Sequence, residues 1–282
     1  MKEKATLGVI IGNRDFFPDK LVSEARKDII ELFGKLNLNY IMLDEADTKL
    51  GGVETFSDAR KCAELFSKHA NEITGVLVIL PNFGDERGVA ETLKLSGLNV
   101  PVLIQAYPDE LNKLDVARRR DSWCGKISVC NNLYQYGIKY TLTGKHVVHP
   151  KEAAFEAELL NFVAVCRVVR GLRKVRIGAV GARPGGFNTV RYSEKILQRN
   201  GISVTTVDLS EILGRANRLT KDDAVVKNHL DKILAYASKG KTPNDALIQI
   251  AKLDVVLNQF MEENYLDATA IQCWTSLQQN YG

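Results

Sequence analysis

The chain has 282 residues, of which 45% are hydrophobic and 26% are charged, and its formal net charge is +4. A chain of this length can bury two cores, and the composition is that of an ordinary globular protein. The positive charge is spread along the chain, and its one dense basic run, Arg118 to Arg120, lies between Asp115 and Asp121. A nucleic-acid partner is therefore not expected.

The cysteines and the apolar segments indicate the compartment. The five cysteines are scattered and form no CxxC pair, which is typical of reduced thiols rather than of a disulfide framework. The longest apolar runs are far too short to span a bilayer, and no signal-peptide pattern is present. We expect a cytoplasmic protein with no membrane partner.

Short apolar runs alternate with amphipathic segments through the first half of the chain. Strands are predicted at residues 7–11, 40–43, 76–80 and 100–105. Helices are predicted at 21–33 with Gly34 as the C-cap, from Ser57 as N-cap to His69, and from Asp85 as N-cap to Leu95. This repeated β–α order predicts a parallel, doubly wound sheet with right-handed crossovers.

The rest of the chain predicts a second series of the same kind. Residues 109–143 are expected to form a short helix, a loop through the arginine run, a helix from about Ser128 and a strand near Tyr140. A long helix over 151–170, ended by Gly171, is followed by strands at 175–180, 203–207 and 268–272, with a helix from near Thr189 and several over 211–265. We therefore expect an α/β protein of two Rossmann-like domains, residues 1–172 and 173–282.

One glycine-rich loop suggests an anion site. Gly178 lies in a predicted strand, and Gly181, Gly185 and Gly186 lie between that strand and a predicted helix, a context that suits phosphate binding at a helix N-terminus. The spacing matches neither GxGxxG nor GxxxxGK[ST], and Asp208 is the one candidate to bind a ribose. A nucleotide-binding regulator is thus one alternative, and a tight strand–helix turn without a ligand is the other.

Polar residues follow several predicted strands. Asn13, Arg14 and Asp15 follow the first strand, residues 82–87 follow the third, and Gln272 ends the last. The carboxyl ends of parallel strands border one crevice, and amides, a guanidinium, carboxylates and an aromatic ring suit the binding of a polyol. The alternative is that each residue only caps a helix or braces a loop; for Asp85 both remain open, and for Gln272 binding is favoured.

Six segments, taken together and in this order, resemble the motifs of the L-fucose isomerase/L-arabinose isomerase-like family. They are GNRDFFP at 12–18, PNFGDE at 81–86, RRDSWCGK at 119–126, GAVGAR at 178–183, NTVR at 188–191 and AIQCWTS at 270–276. The resemblance implies two N-terminal α/β domains, a further C-terminal domain and assembly into a homo-oligomer, a trimer or a hexamer.

The resemblance also implies an activity. Members of the family convert aldoses to ketoses through a cis-enediol intermediate, with a divalent metal, usually Mn²⁺, bound by a glutamate, an aspartate and a histidine. In the family the acidic ligands follow the Gln-Cys-Trp segment, so we assign no metal ligand and no catalytic acid or base to this chain. We expect the second domain to be incomplete, the C-terminal domain to be missing, and the chain to be inactive alone and to bind no cofactor.

The resemblance does assign monosaccharide-binding residues to the chain. Gln272 matches a position that hydrogen-bonds the sugar, and Arg14 and Phe83 match a region that supplies an arginine and an aromatic ring. Trp274 and Arg120 fall in matching segments and are included as candidates. A sugar-binding α/β protein without catalysis remains the second alternative.

Overall fold

The chain forms two compact units, each an α/β unit with a parallel sheet. The computed structural model describes residues 5–282. The first unit, unit 1, ends at Arg170, and unit 2 is Gly171–Gly282; the boundary expected from the sequence lies two residues later. The predicted α/β fold class is confirmed. No helix among residues 5–282 is long and apolar enough to cross a membrane.

Unit 1 is built on a five-stranded parallel sheet in the order β2-β1-β3-β4-β5. Its strands are β1 (Thr6–Ile11), β2 (Asn39–Ile41), β3 (Ile73–Leu80), β4 (Val102–Ala106) and β5 (Thr141–Leu142). Its helices are α1 (Lys20–Leu36), α2 (Phe56–Lys68), α3 (Glu86–Ser96), α4 (Ser122–Gln135) and α5 (Ala153–Leu172), with a 3₁₀ turn at Lys49–Gly51.

Helices cover both faces of this sheet. On one face, α1 and α5 contribute Phe33 and Phe155 to a core that includes alternate residues of β1 and β3. On the other face, α2, α3 and α4 contribute Phe66, Val89 and Val129. Because both faces are covered, β1, β3 and β4 are buried along their whole length, as their continuous apolar runs predict.

Unit 2 has a three-stranded parallel sheet in the order β7-β6-β8. Its strands are β6 (Arg176–Val180), β7 (Ser203–Val207) and β8 (Ala268–Ile271), and its helices are α6 (Glu194–Arg199), α7 (Leu209–Arg218), α8 (Ala224–Tyr236), α9 (Asn244–Glu263) and α10 (Ser276–Asn280). Val180 and its neighbours on one face pack with Ile212 of α7 and Phe260 of α9. On the opposite face Ala268 and Ala270 are exposed.

Several predicted helix ends in unit 1 are wrong. Helix α1 continues through Gly34 to Leu36, and its C-cap is Asn37, which adopts the left-handed conformation. Helix α2 is capped by Thr55, which forms a capping box with Asp58, and not by Ser57. Ser, Thr and Asn can all serve as caps, so the contacts of the surrounding chain decide which residue does.

Four other predictions about helices differ from the structure. Helix α5 runs through Gly171 to Leu172. The predicted short helix after Asp109 is replaced by turns, and α4 begins at Ser122 instead of near Ser128. The helix expected from Thr189 is a 3₁₀ turn at Asn188–Val190, and α6 begins only at Glu194.

Candidate functional site

Two buried asparagines join the loops that leave β1 and β3. Asn82 Nδ2 donates to Asn13 Oδ1 at 2.7 Å, and both residues are almost fully buried. The Gly84 N–H donates to Asn82 Oδ1 at 3.0 Å, and Asn13 Nδ2 donates to Glu54 Oε2 at 2.9 Å and to Asp19 Oδ1 at 3.1 Å. These amides bond to protein groups, so they fix the loops rather than face a ligand.

Three phenyl rings follow each other across the loops after β1 and β3. Phe16 stacks on Phe17 with centroids 4.8 Å apart, and Phe17 stacks on Phe83 at 6.1 Å. We call Phe16, Phe17 and Phe83 the aromatic row. Phe17 is buried, Phe83 is half-buried and Phe16 is 61% exposed, so the row has one ring open to a ligand and a second partly open.

Arg14 lies against one end of the aromatic row. Its guanidinium carbon is 4.4 Å from the Phe83 ring centroid, a cation–π contact. Its Nε donates to the Gly84 carbonyl oxygen at 2.8 Å, and it pairs with Glu86. The structure thus brings together Arg14 and Phe83, two of the residues predicted from the sequence.

Glycines and a cap position the Phe83 loop. A Cβ on Gly125 of α4 would lie 1.7 Å from the Phe83 carbonyl oxygen, so only glycine allows this approach. Gly84 has a φ of +70°, in the region that favours glycine. Asp85 caps α3 by accepting from the Gly88 N–H at 2.7 Å, which is the capping role that the sequence left open.

Arg119 lies at the other end of the aromatic row. Its guanidinium carbon is 5.3 Å from the Phe17 centroid and 5.9 Å from the Phe16 centroid. Its Nε is 3.5 Å from Asp121 Oδ2. No role for Arg119 is predicted from the sequence. The available signal was its position in the loop after β4, at the same sheet edge as Arg14 and Phe83.

Arg120 is a buried structural residue. One terminal nitrogen donates to the Pro81 carbonyl oxygen at 3.0 Å and the other to Glu24 Oε2 at 3.4 Å. Its guanidinium carbon lies 5.0 Å from the Tyr107 ring centroid. Only 8% of the residue is exposed. Arg120 therefore holds the loop after β3 from the buried side, through the Pro81 carbonyl oxygen.

A polar cluster around Asp28 lies next to Arg120. The Tyr107 hydroxyl donates to Asp28 Oδ2 at 3.1 Å, Lys151 Nζ is 2.8 Å from Oδ1, and His149 Nε2 is 3.6 Å from Oδ2. Burial and the Asp28 carboxylate raise the pKa of Tyr107. Burial lowers the pKa of His149, and the positive charge of Arg120 acts in the same direction.

Gln272 occupies the end of β8 in unit 2. Its Oε1 accepts from the Ala182 N–H at 2.9 Å, and its Nε2 donates to the Trp274 carbonyl oxygen at 3.2 Å. Trp274 is about half exposed and meets Phe187 edge-on, with centroids 5.2 Å apart. Both bonds of Gln272 brace loops, and a contact of Gln272 or Trp274 with a sugar stays a prediction.

The glycine-rich loop after β6 does not form the expected phosphate-binding context. Helix α6 begins at Glu194, several residues beyond Gly186, so no α-helix N-terminus follows the loop directly. Asp208, the candidate to bind a ribose, caps α7 by accepting from the Ser210 N–H at 2.7 Å. The observations that suggested a nucleotide are thus explained by local structure.

The donor groups do not fit the manganese ion that the resemblance implies. Among residues 5–282, no group of three or more His, Cys, Asp or Glu side chains is arranged to hold a metal ion. We therefore derive no metal-dependent step from this chain.

Comparison with known proteins adds a family assignment. The model of the fucose/sulfoquinovose isomerase N-terminal domain matches residues 8–173, more than half of the chain. Sulfoquinovose isomerases from Priestia aryabhattai and Alkalicoccus urumqiensis are 25% and 28% identical to this chain over 130 residues. Each match takes in 45% of this chain and 28% of the relative, so most of each relative lies outside the matched segment.

Proposed function

Because the chain belongs to the fucose/sulfoquinovose isomerase family, we propose that it supplies the N-terminal, sugar-contacting part of an enzyme that interconverts an aldose and a ketose. The observation that carries this proposal is the Arg14–Phe83 pair at the carboxyl edge of the unit 1 sheet. In open α/β sheets, ligands bind outside this edge.

The geometry of the pair suits a monosaccharide. A phenyl ring offers a flat apolar surface to the C–H groups of a sugar, and a guanidinium offers several donors to its hydroxyl groups. Arg14 is fixed by Gly84 and Glu86, and the Phe83 loop is fixed by Gly125 and Asn82. A site held in this way binds with little loss of conformational entropy.

We propose a cis-enediol intermediate, which forms when C2 of the aldose loses its proton and the C1 carbonyl oxygen gains one. Protonation of C1, with loss of the proton of the C2 hydroxyl, then gives the ketose. Any Mn²⁺ that takes part would need ligands other than the described residues, and no catalytic acid or base is assigned to them. By the family resemblance and the scattered cysteines, the protein is proposed to act as a cytoplasmic homo-oligomer.

Sugar binding can be tested on the purified chain by saturation-transfer NMR with a panel of aldoses and their ketoses. We expect transfer to at least one aldose–ketose pair and a loss of about tenfold in affinity for Phe83→Ala, since removal of a stacked ring removes its contact area. The matched control is Tyr134→Ala, which removes an exposed ring from the far end of α4. Equal binding by all three proteins would contradict the proposed site.

The enzyme class needs a separate test. The polypeptide should be purified from its own cells, in the form in which they make it, and supplied with Mn²⁺. Conversion of an aldose to a ketose should follow the polypeptide through purification and be removed by an antibody against unit 1. Conversion that remains after complete depletion, or sugar binding by the native protein without conversion, would contradict the isomerase and favour a binding protein.

A further inference from the structure

Helix α5 is apolar on its exposed side as well as on its buried side. Its buried side contacts the unit 1 core through Phe155, Leu159, Phe162, Val163 and Cys166. The exposed residues of the opposite side, which we call the outer face of α5, are Ala157, Leu160, Asn161, Ala164, Val165 and Val168. Leu160 and Val165 are each 45% exposed, and Val168 is 60% exposed. A helix that is apolar on all sides is normally buried, so this face has the character of a contact surface.

The exposed side of another helix of unit 1 shows the difference. Helix α2 also lies at the surface, and its exposed residues include Arg60, Lys61, Glu64 and Lys68. Water solvates such a face without a partner. The outer face of α5 carries no charge, and Asn161 is its one polar residue. Apolar, uncharged composition of this kind is typical of the centre of a protein–protein interface.

Two opposite charges lie along one border of the outer face. Glu156 and Arg167 are eleven residues apart, which is three helical turns within about 20° and about 16 Å along the axis. Arg167 is exposed, and within residues 5–282 it makes no hydrogen bond or ion pair. Glu156 pairs with Lys35, but its side chain is still 26% exposed. One border therefore carries an acid near one end and an unpaired base near the other.

We propose that the outer face of α5 binds the same face of a second copy of this chain, with the two helices antiparallel about a twofold axis. A twofold contact joins one patch to itself and so requires a self-complementary surface. In this arrangement Glu156 of each copy meets Arg167 of the other, and Ala157 of each copy faces Val168 of the other. Parallel helices would instead set Glu156 against Glu156 and Arg167 against Arg167. The charge pattern thus selects an antiparallel second copy.

This interface goes beyond the proposed function. The family resemblance implies a homo-oligomer but names no surface for it. Helix α5 packs on one face of the unit 1 sheet, and none of its residues belongs to the aromatic row. Self-association and sugar binding can therefore be measured and can fail separately.

The experiment is sedimentation velocity of the purified chain over a range of concentrations. A contact made by one helix of each copy lies at the small end of interface sizes, so we expect a dimer with a dissociation constant of about 10 μM. If other surfaces also join copies, breaking the twofold contact should halve the number of chains in the assembly.

One substitution locates the interface. Ala164→Glu places two carboxylates near each other across the twofold axis and should weaken the dimer about tenfold or more. Folding should be kept, because the position is exposed and Glu is a good helix former. The matched control is Ala235→Glu at an exposed position of α8, which should leave the dimer unchanged. Circular dichroism checks that both variants fold, and both should bind monosaccharides like the unaltered chain.

Two charge reversals test the antiparallel arrangement. Arg167→Glu gives each border two acids, and Glu156→Arg gives it two bases, so each variant alone should dimerise more weakly than the unaltered chain. An equimolar mixture of the two restores both Glu–Arg contacts in a mixed dimer and should associate at least as well as the unaltered chain. The Lys35 pair that Glu156→Arg removes is exposed and contributes little to folding.

The outcomes decide the inference. A chain that stays monomeric at all concentrations would overturn it, since another partner or segment would then have to cover α5. A dimer that Ala164→Glu leaves intact, or that Ala235→Glu weakens equally, would also overturn it. Failure of the mixed charge variants to associate would exclude the antiparallel pairing of Glu156 with Arg167. Loss of sugar binding in every protein tested would contradict the proposed function and leave this interface standing.

Discussion

The carboxyl edges of the two sheets differ in the burial of their strands and in the hydrogen bonds that join their loops. In unit 1 the strands that lead to the edge are buried throughout, and the loops beyond them are joined by the buried Asn13–Asn82 pair. In unit 2 the strands are partly exposed, and the loop after β6 is joined to the end of β8 by the half-buried Gln272, which accepts from the Ala182 N–H. A similar β–α order therefore gives a rigid platform where helices cover both faces of the sheet and a looser edge where one face stays open.

The comparison also separates supporting residues from residues that can bind. Asn13, Asn82 and Arg120 are polar and lie at the unit 1 edge, but each is buried and bonded within the protein. Phe16 and Arg119 lie further out and are partly exposed. A ligand can reach Phe16 and Arg119 but not Asn13, Asn82 or Arg120, because these inner groups have already exchanged water for protein partners.

The largest expected effect is that of Gly125→Ala at the unit 1 edge. The new Cβ would meet the Phe83 backbone at 1.7 Å, so the loop or α4 must move, and overpacking of this kind costs about 1–3 kcal/mol or more. In unit 2, Gly181→Ala places a Cβ 2.6 Å from the movable Gln272 Oε1 at a φ of +81°. We expect it to cost about 1–2 kcal/mol, mostly from the backbone conformation.

Denaturant unfolding, with amide hydrogen exchange to assign each loss to its unit, checks these values. Gly34→Ala is the control, because Gly34 lies inside α1 with nothing within 4 Å of its Cβ position. This variant should be more stable by about 0.5–1 kcal/mol. If Gly125→Ala were no worse than Gly181→Ala, the unit 1 edge would not be the more rigid of the two.

The next effect compares the two strand-end amides. Asn82→Ala leaves the Gly84 N–H and Asn13 Oδ1 without their partner in a fully buried place, which costs about 1–3 kcal/mol. Gln272→Leu frees the Ala182 N–H near the surface, where water can replace the bond, so about 0.5–1 kcal/mol is expected. The melting temperature of Asn82→Ala should therefore fall further than that of Gln272→Leu.

Gln272→Leu also decides between the two interpretations of that residue. If Gln272 only braces the loop, the variant melts earlier and binds monosaccharides as before. If its amide contacts the sugar, the affinity or kcat/KM falls roughly ten- to a hundred-fold, as expected for a lost hydrogen bond in a desolvated site. Loss of both would show that one amide serves both roles.

The smallest effect is one of pH and should arise in unit 1. Burial lowers the pKa of His149 from its usual 6.5, so the unfolded chain takes up a proton there before the folded chain does. The stability that neutral His149 contributes is complete above about pH 6.5 and is lost as the pH falls below that value. Unfolding measured from pH 7 to pH 5 should therefore show a smaller loss for His149→Gln than for the unaltered chain.

Unit 2 provides the contrast for this measurement. Local hydrogen bonds lower the pKa values of Asp208 and Asp223, and the ion pair with Arg215 lowers that of Glu263. Groups of this kind contribute stability above their unfolded pKa values near 4 and lose it only in more acidic solution. Equal pH sensitivity of His149→Gln and the unaltered chain between pH 7 and 5 would remove His149 as the cause.

Much of the fold follows from the sequence alone. The continuous apolar runs of β3 and β4 and the amphipathic helices between strands predicted the α/β class and the parallel sheets, because burial on two faces demands such patterns. The ordered motifs predicted the family. The wrong helix ends, at Gly34 and Ser57, fall where several residues could cap equally well and where only the surrounding contacts decide.

Roles at the two sheet edges could be settled only by tertiary structure. The sequence placed Arg14, Phe83 and Gln272 at strand ends, since the β–α order fixes which loops share an edge. It could not show that Arg120 is buried while Arg119 faces the aromatic row, because three consecutive loop residues follow no helical or strand period. The hydrogen-bond partners of each arginine depend on the residues that the fold places beside it. Pro81 lies beside Arg120, and Phe17 and Asp121 lie beside Arg119.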